Sequence, residues 1–260
     1  MPPEDADSRG EDFASESLSK WTPRFVANGI DYNDLTRLDE RIGDWSEWCG
    51  AFEAVGDERI KLAEDALNRG DELAAGEYLR QASMYFHFGS HVWHVDEDER
   101  ARVHERTVET FRRAGEYLRP RAKRIEAPYE EFTVPGNLRV PDASPAGRED
   151  SPVVVMLPGL DSTKEELSAY DDELHDRGLA TLAVDGAGQG ETWANQRMTP
   201  DYPELISAVV DHLQELDPDG VDTSSLGVYG VSLGGFYAPY VAANEDRFDA
   251  CVGISGPFTV

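Results

Sequence analysis

Lysine is scarce in this sequence: only four of the 24 basic residues are lysine, and 52 acidic residues give a net charge of −28. A surface this acidic repels nucleic acid and anionic membranes, so neither is an expected partner. Strong apolar runs in the C-terminal half nevertheless indicate a globular protein. We therefore predict a halophilic protein, because molar salt screens the repulsion among so many carboxylates.

Cysteine is also rare. Cys49 and Cys251 lie far apart, with no secretory segment before them, so two free thiols are expected rather than a disulfide. The first dozen residues are acidic and polar, unlike a signal peptide, and no apolar run reaches the length needed to span a membrane. These features predict a cytoplasmic protein.

The first half of the chain lacks convincing strand patterns. Residues 1–20 are mostly acidic and polar, which predicts a disordered tail. Residues 21–125 carry apolar side chains at helical spacing, for instance over 57–68 and 97–118, which predicts a helical domain. The helix pair around Gly70 resembles a tetratricopeptide hairpin, but no second copy follows at a fixed period, so a repeat array is not expected.

From residue 126 onward the pattern changes to strands that alternate with helices. A hairpin is expected around a turn at Pro135-Gly136, and a Ser162/Glu165 capping box predicts a helix that runs to residue 177. The predicted strands cover 153–157, 179–184, 226–229 and 250–254, and further helices cover 202–216 and 235–244. This alternation predicts a mainly parallel sheet with helices on both faces, the doubly wound α/β class.

Ser232 lies in the stretch Gly230-Val-Ser-Leu-Gly234, between a predicted buried strand and a predicted helix. This is the G-x-S-x-G pattern of a nucleophile elbow in its required strand–turn–helix context. Glycine is needed on both sides because so tight a turn leaves no room for side chains there. The turn exposes the hydroxyl and leaves the Leu233 N–H free at the helix start, where it could hold an oxyanion. Taken alone, the same letters also fit an ordinary glycine-rich turn.

Two other motifs suggest cofactors, and neither fits. Asp185-Gly-Ala-Gly-Gln-Gly-Glu191 would need a glycine in place of Glu191 to match a dinucleotide-binding loop, so we interpret it as a structural loop beside the pocket. His87, His91 and His94 could be spaced as zinc ligands, but aromatic residues surround them and no H-E-x-x-H glutamate is present. We expect neither a metal nor a cofactor.

The order of these motifs resembles the α/β-hydrolase fold. Leu157-Pro-Gly-Leu160 follows the first parallel strand, Asp185-Gly-Ala-Gly-Gln-Gly190 follows the second, and the Ser232 elbow follows the third. The segments 78–85, 128–131, 159–166 and 185–191 are similar to the branch that contains 2,6-dihydroxypseudooxynicotine hydrolase and esterases like the fermentation–respiration switch protein. The resemblance covers residue 57 to the end.

The resemblance implies Ser232 as the nucleophile, with the backbone N–H groups of Leu233 and Leu160 as the oxyanion hole. Many relatives have His-Gly before the second donor, where this chain has Pro158-Gly159. The implied reaction is hydrolysis of a small-molecule carboxylic ester, or of a carbon–carbon bond next to a ketone, through an acyl-enzyme. A peptidase is disfavoured because the sequence has no propeller domain.

The resemblance also assigns a place to the helical segment. In the family this segment caps the active site, which makes Tyr85, His87 and Trp93 candidates for the pocket lining. A homodimer formed through the helical segment is a further expectation at the level of the family.

The acid and base of a catalytic triad are missing from the expected positions. The fold orders its triad Ser, then Asp or Glu, then His, but all six histidines precede Ser232. The acids that follow, Glu245, Asp246 and Asp249, are not at the end of a later strand. Residues 126–260 are therefore predicted to be an incomplete hydrolase core with negligible turnover alone, since a serine without a base is a weak nucleophile. The alternative is a non-catalytic or regulatory protein that retains the elbow.

Overall fold

The structure is a computed structural model that describes residues 5–91, 93–142, 147 and 149–256. The chain forms two compact units, of which the first ends at Tyr117 and the second begins at Leu118. No helix within these described ranges is both long and apolar enough to cross a membrane.

The first unit is helical, as the sequence predicts. Its helices are α1 (Asp5–Ala27), α2 (Tyr32–Arg41), α3 (Trp48–Asn68), α4 (Glu72–Ser90) and α5 (Glu97–Gly115). Aspartates begin three of them: the side chains of Asp31, Asp71 and Asp96 accept hydrogen bonds from backbone N–H groups of the first turn. The core is aromatic, with Phe25, Trp48, Phe52, Phe86 and Phe88 fully buried.

Helix α1 corrects the prediction of a disordered tail over residues 1–20. Residues 1–4 lie outside the described part of the chain, but from Asp5 onward the backbone is helical. Ala14 and Leu18 are buried in the aromatic core of the unit, and the Phe13 and Trp45 rings form a T-shaped pair. The prediction failed because acidic residues dominate the composition of this segment, whereas a few apolar residues at helical spacing decide its packing.

The second unit is built on a sheet of six strands. They are β1 (Ala122–Tyr129), β2 (Phe132–Arg139), β3 (Ser151–Leu157), β4 (Ala180–Val184), β5 (Val221–Val231) and β6 (Phe248–Ile254). The strand order is β1-β2-β4-β3-β5-β6. Strands β1 and β2 are antiparallel to their neighbours, whereas β4, β3, β5 and β6 run parallel. The sheet is therefore mixed, with a parallel part formed by the four predicted strands.

Helices cover both faces of this sheet. Helices α7 (Tyr202–Leu216) and α8 (Leu233–Ala242) pack on the face that carries Val153, Val155 and Leu157. On the opposite face, Met156 and Ala183 pack against Leu167, which precedes the short helix α6 (Asp171–His175). This arrangement confirms the predicted doubly wound α/β class.

Three local predictions need correction. The sheet begins at Ala122, so part of the segment assigned to the helical domain up to residue 125 is strand β1. The hairpin turns at Glu130, which has a φ of 46°, rather than at Pro135-Gly136, which lies inside β2 with Gly136 packed close to Leu182. The predicted capping-box helix over 162–177 is wrong: the segment forms turns, a 3₁₀ helix at Glu166–Tyr170 and α6, and the Lys164 N–H donates to the Asp185 carboxylate.

Candidate active site

Ser232 occupies the sharp turn between β5 and α8. Its backbone has φ 56° and ψ −115°, a left-handed conformation that costs a non-glycine residue ~1–3 kcal/mol and is found mainly at functional sites. The Ser232 N–H donates to the carbonyl of Ile254 in β6 at 2.8 Å, which holds the turn in place. The Ser232 side chain is exposed to solvent. The sequence predicted this elbow at the right residue, although the helix begins at Leu233 rather than Gly235.

Glycine is required on both sides of the serine. A Cβ atom on Gly230 would lie 1.9 Å from the carbonyl oxygen of Gly234, and one on Gly234 would lie 2.1 Å from that of Leu157. Both neighbours are backbone atoms that cannot rotate away. The elbow is therefore packed as closely as the G-x-S-x-G pattern implies.

The loop after β3 lies against the elbow. A Cβ atom on Gly159 would be 3.4 Å from the Cβ of Ser232, which puts the Pro158-Gly159-Leu160 loop in contact with the serine. Among the described residues, no hydrogen-bond acceptor is found for the Leu160 N–H. The Leu233 N–H is in the first turn of α8, where backbone N–H groups have no partner within the helix. The role of these two groups as oxyanion donors remains a prediction.

Lys164 lies in a buried charge cluster next to this loop. Its ammonium is within 2.6 Å of Glu165, 2.9 Å of Asp185 and 2.6 Å of Glu191. Lys164 and Asp185 are completely buried, and Glu165 almost so. Asp185 also accepts the backbone N–H groups of Lys164 at 2.8 Å and Glu191 at 3.1 Å. Arg124 completes the cluster with two hydrogen bonds to Glu191, at 2.7 and 2.9 Å.

The electrostatics of this cluster are those of mutually paired ions. Burial lowers the pKa of Lys164, but attraction by Asp185, Glu165 and Glu191 outweighs it and raises that pKa above its ordinary value. Burial alone would raise the pKa of Glu191, yet hydrogen bonds from Arg124 and the charge of Lys164 lower it to about 2. Lys164 and Glu191 are thus charged at neutral pH, whereas burial raises the pKa of Asp185 above its ordinary value despite the attraction of Lys164. The ion pairs of the cluster hold the 185–191 loop in place.

Sequence reasoning missed the role of Lys164. It assigned the residue to a capping-box helix and did not pair it with the acids of the 185–191 loop. The available signal was its rarity, since Lys164 is one of four lysines and stands directly before two glutamates. The interpretation of 185–191 as a structural loop agrees with its position after β4 and with the ion pairs of Glu191.

The two histidines of the second unit lie away from the elbow. The His175 ring is 3.1 Å from the hydroxyl of Thr181, the second residue of β4, and burial lowers its pKa. His212 lies one turn before the end of α7, which leads into the first residue of β5. Ser232 follows the last residue of β5, so the two histidines lie near the N-terminal ends of the parallel strands and the nucleophile lies at the C-terminal end.

Two of the acids that follow Ser232, Glu245 and Asp249, have structural partners. Glu245 accepts hydrogen bonds from Arg247 and Ser207, and the Arg247 bonds are the main cause that lowers its pKa to about 2. The carboxylate of Asp249 accepts the backbone N–H of Leu226 at 3.2 Å. These contacts tie the segment after α8 to α7 and β5 rather than to the Ser232 turn.

The three candidates for pocket lining are buried residues. The Tyr85 hydroxyl donates to Asp34, the His87 ring packs edge-on against Phe88, and the Trp93 indole donates to the carbonyl of Trp45 at 2.9 Å. Each contact is made within the helical unit. Their role in a pocket is untested and remains a prediction.

Taken together, the mixed sheet and the strained serine between β5 and α8 define a member of the α/β-hydrolase superfamily. The model of the FrsA-like esterase family matches residues 33–259, and the chain belongs to that family. The resemblance stated from the sequence is thereby confirmed and extends further towards the N-terminus than residue 57.

Individual relatives agree with this assignment. The chain is 34% identical to the 2,6-dihydropseudooxynicotine hydrolase of Paenarthrobacter nicotinovorans over 233 residues, which cover 90% of this chain and 61% of the relative. It is 30% identical to the alpha/beta hydrolase xenA of Xenoacremonium sinensis, over 84% of this chain and 53% of the relative. The crystal structure of 2,6-dihydroxy-pseudo-oxynicotine hydrolase superposes with a TM-score of 0.79 at 33% identity, over 88% of this chain and 63% of the other. The chain thus spans little more than half the length of these relatives.

Proposed function

We propose that the protein is a serine hydrolase that cleaves a small-molecule carboxylic ester, or a carbon–carbon bond next to a ketone, through an acyl-enzyme at Ser232. The observation that carries this proposal is the exposed hydroxyl of Ser232 on a backbone with φ 56° and ψ −115°, in contact with the Gly159 loop. A strained backbone at an exposed nucleophile is the mark of a site selected for reactivity rather than for stability.

In this mechanism the Oγ atom of Ser232 attacks the substrate carbonyl carbon and gives up its proton to a base. The carbonyl oxygen becomes an oxyanion, which the N–H groups of Leu233 and Leu160 stabilise. Collapse of this intermediate expels an alkoxide or a ketone-stabilised carbanion, which takes the proton from the base and leaves as the alcohol or the ketone, while the acyl group stays on Ser232. Water then attacks the acyl-enzyme, releases the carboxylic acid and restores the serine hydroxyl.

An apolar groove beside α8 is a candidate site for the apolar part of a small organic substrate. A cavity of about 390 Å³ lies beside α8 and is lined by Met198, Thr199, Pro200, Phe236, Tyr237 and Tyr240. Phe236 is one helical turn after the nucleophile, and its N–H donates to the Ser232 carbonyl. Aromatic walls of this kind suit the apolar part of an ester or an aryl ketone. The relatives described above are named hydrolases, which is consistent with a hydrolytic reaction.

The general base and its acid partner are not assigned to residues of this chain. His175 and His212 lie near the N-terminal ends of the parallel strands, opposite to Ser232, and Glu245 and Asp249 have structural partners. All six histidines also precede Ser232, against the Ser–acid–His order of the fold, and we therefore propose that the triad acid and histidine lie outside these 260 residues and that the 260-residue chain by itself turns over negligibly. The alternative is a non-catalytic protein that keeps the elbow.

A fluorophosphonate probe tests the nucleophile. We expect the protein expressed from its complete gene to be labelled at Ser232, and the Ser232→Ala variant not to be labelled. Ser225→Ala is the matched control, because Ser225 lies in the same strand and should leave labelling unchanged. Labelling that survives in Ser232→Ala would contradict the assignment, and a folded wild-type protein that is not labelled would favour the non-catalytic alternative.

A further inference from the structure

Gln189 is a buried side chain that contacts the loop next to the nucleophile. It is 2% exposed, and its amide nitrogen donates to the carbonyl oxygens of Gly159 at 2.8 Å and Pro158 at 3.3 Å. Its amide oxygen accepts a hydrogen bond from the hydroxyl of Tyr202 at 3.2 Å. The mechanism proposed above gives this glutamine of the 185–191 loop no role.

The partners determine which way the amide faces. The Gly159 and Pro158 oxygens are backbone carbonyls, which can only accept, so the NH₂ group must point at them. The Tyr202 hydroxyl can donate to the remaining amide oxygen, and burial raises the pKa of Tyr202, which keeps that proton in place. The amide orientation therefore follows from chemistry rather than from a choice between two equivalent flips.

The bond to Gly159 also fixes the direction of the Leu160 N–H. The Gly159 carbonyl and the Leu160 N–H belong to one planar trans peptide unit, in which they point in opposite directions. When Gln189 holds the carbonyl oxygen on its own side, the N–H is turned to the other side. The same loop touches Ser232, with 3.4 Å between the Ser232 Cβ and a Cβ built on Gly159.

The segment that carries Gln189 is itself held rigidly. At its start, Asp185 is anchored by the Lys164 ammonium at 2.9 Å and accepts the Glu191 N–H at 3.1 Å. At Gln189 itself, the backbone N–H is 3.2 Å from the Thr192 hydroxyl, which in turn donates to the carbonyl of Gly186 at 2.6 Å. A firmly held backbone lets the glutamine side chain position a neighbouring peptide instead of following it.

We propose that Gln189 is a positioning residue, which holds the Gly159–Leu160 peptide so that the Leu160 N–H faces the oxyanion of the acyl-transfer reaction. This inference rests on the proposed function, since it assumes that Leu160 is an oxyanion donor. Loss of a single oxyanion donor lowers kcat by about 100- to 1,000-fold, and a donor that is present but badly oriented loses part of that. For Gln189→Met we therefore expect kcat to fall about 10- to 100-fold, with KM changed less than about threefold.

The test uses the protein expressed from its complete gene and p-nitrophenyl butyrate as the substrate. Gln189→Met removes the donors at nearly equal volume. Gln214→Met is the matched control: the Gln214 amide also donates to a backbone carbonyl, that of Thr223 at 3.1 Å, but at the opposite end of β5. Tyr202→Phe is a milder variant that removes the hydroxyl orienting the amide, and it should lower kcat about 2- to 10-fold, the effect of one hydrogen bond.

The Gln189→Glu variant gives a pH dependence of kcat that is not expected if Gln189 has only a structural role. An ionised glutamate cannot donate to the two carbonyls, whereas a protonated one can donate once. The ratio of the kcat of Gln189→Glu to that of Gln189→Met should therefore rise as the pH falls from 8 to 5.5. Titration of the catalytic base cancels in this ratio because both variants share it.

The outcomes separate the inference from the function on which it rests. Residual activity in Ser232→Ala would refute the proposed function. Loss of activity in Ser232→Ala, together with wild-type kcat in Gln189→Met or Tyr202→Phe, would refute the positioning role alone. An increase in KM without a fall in kcat, or a Glu-to-Met ratio independent of pH, would likewise refute it. If Gln189→Met does not fold, the kcat of Gln189→Glu is divided by that of wild type instead. Wild-type kcat in Tyr202→Phe, or a ratio of Gln189→Glu to wild type that does not rise as the pH falls, then overturns the inference.

Discussion

Replacement of Lys164 by methionine would remove an ammonium ion that lies among three carboxylates. In the native protein this group is completely buried and contacts Glu165, Asp185 and Glu191 at 2.6 to 2.9 Å. Glu191 would still be paired with Arg124 in the variant. Asp185 and Glu165 would be left buried without a cation, although Asp185 would keep its two backbone N–H donors.

Two lines of reasoning give the size of the effect. Breaking a buried ion pair by removing one partner typically costs about 3–5 kcal/mol. The variant can remove one of the two unpaired charges by protonating a carboxyl, but pH 7 lies about three units above an ordinary aspartate pKa, so this costs about 4 kcal/mol. The two figures agree, and either is a large share of the ~5–15 kcal/mol that stabilises a typical domain.

The pH dependence has a definite sign. In Lys164→Met the folded pKa of the unpaired carboxyl is raised above its unfolded value, so the folded variant binds an extra proton. The variant's stability relative to wild type is therefore greatest at low pH and is lost as the pH rises through the folded pKa. Between pH 7 and pH 5 we expect the deficit to shrink by about 1–3 kcal/mol.

Urea unfolding followed by tryptophan fluorescence measures both quantities. Lys123→Met is the matched control, because Lys123 is exposed in β1 of the same unit and should change the free energy of unfolding by less than about 0.5 kcal/mol. The double variant Lys164→Met/Asp185→Asn should recover part of the loss, since it removes one of the unpaired charges. A Lys164→Met protein as stable as wild type at pH 7, or a deficit equal at pH 5 and pH 7, would refute this account of the cluster.

Two further predictions concern the packing of the elbow and the stability of the protein at acidic pH. Gly230→Ala puts a Cβ atom 1.9 Å from the Gly234 carbonyl oxygen and should lower the free energy of unfolding by about 3 kcal/mol or more. In the control Gly227→Ala, in the same strand, the added Cβ meets its nearest atom at 3.5 Å and should cost under about 1 kcal/mol. Equal losses of stability for the two variants in urea unfolding would contradict the packing argument. The pKa of Glu191 is lowered from 4.5 to about 2 by its cationic partners, so its contribution to stability is complete above pH 4.5 and is lost as the pH falls towards 2. Glu191→Gln should therefore lose less stability than wild type over that interval, and parallel curves would count against the ion pairs.

Much of the fold could be predicted from the sequence because its signals are local. The apolar runs at 153–157 and 179–184 became β3 and β4, and the 202–216 pattern became α7, since burial of one face or of a whole strand leaves a periodic trace. The elbow at Ser232 was predictable because glycine and serine at fixed spacing report on backbone geometry directly.

Other elements could not be predicted because their determinants are distant in the sequence. Helix α1 depends on a few buried side chains, such as Ala14 and Leu18, that pack on residues brought together by the other helices. The 162–177 segment has the letters of a helix start, but Lys164 instead bonds to Asp185, 21 residues away. A local capping preference of about 1 kcal/mol is outweighed by the need to pair a buried charge.

The sequence by itself determined the class of sheet, the family and the position of the candidate nucleophile, because each depends on residue types at short, fixed spacing. Only the tertiary structure decided what lies around that nucleophile. It brings Gly159 into contact with Ser232, pairs Lys164 with three acids, and lets the Gln189 amide donate a hydrogen bond to the Gly159 carbonyl. These contacts join strand ends that are adjacent only after the parallel sheet has formed. Their physical reason is burial, since charged and polar groups removed from water must find partners wherever the fold brings them.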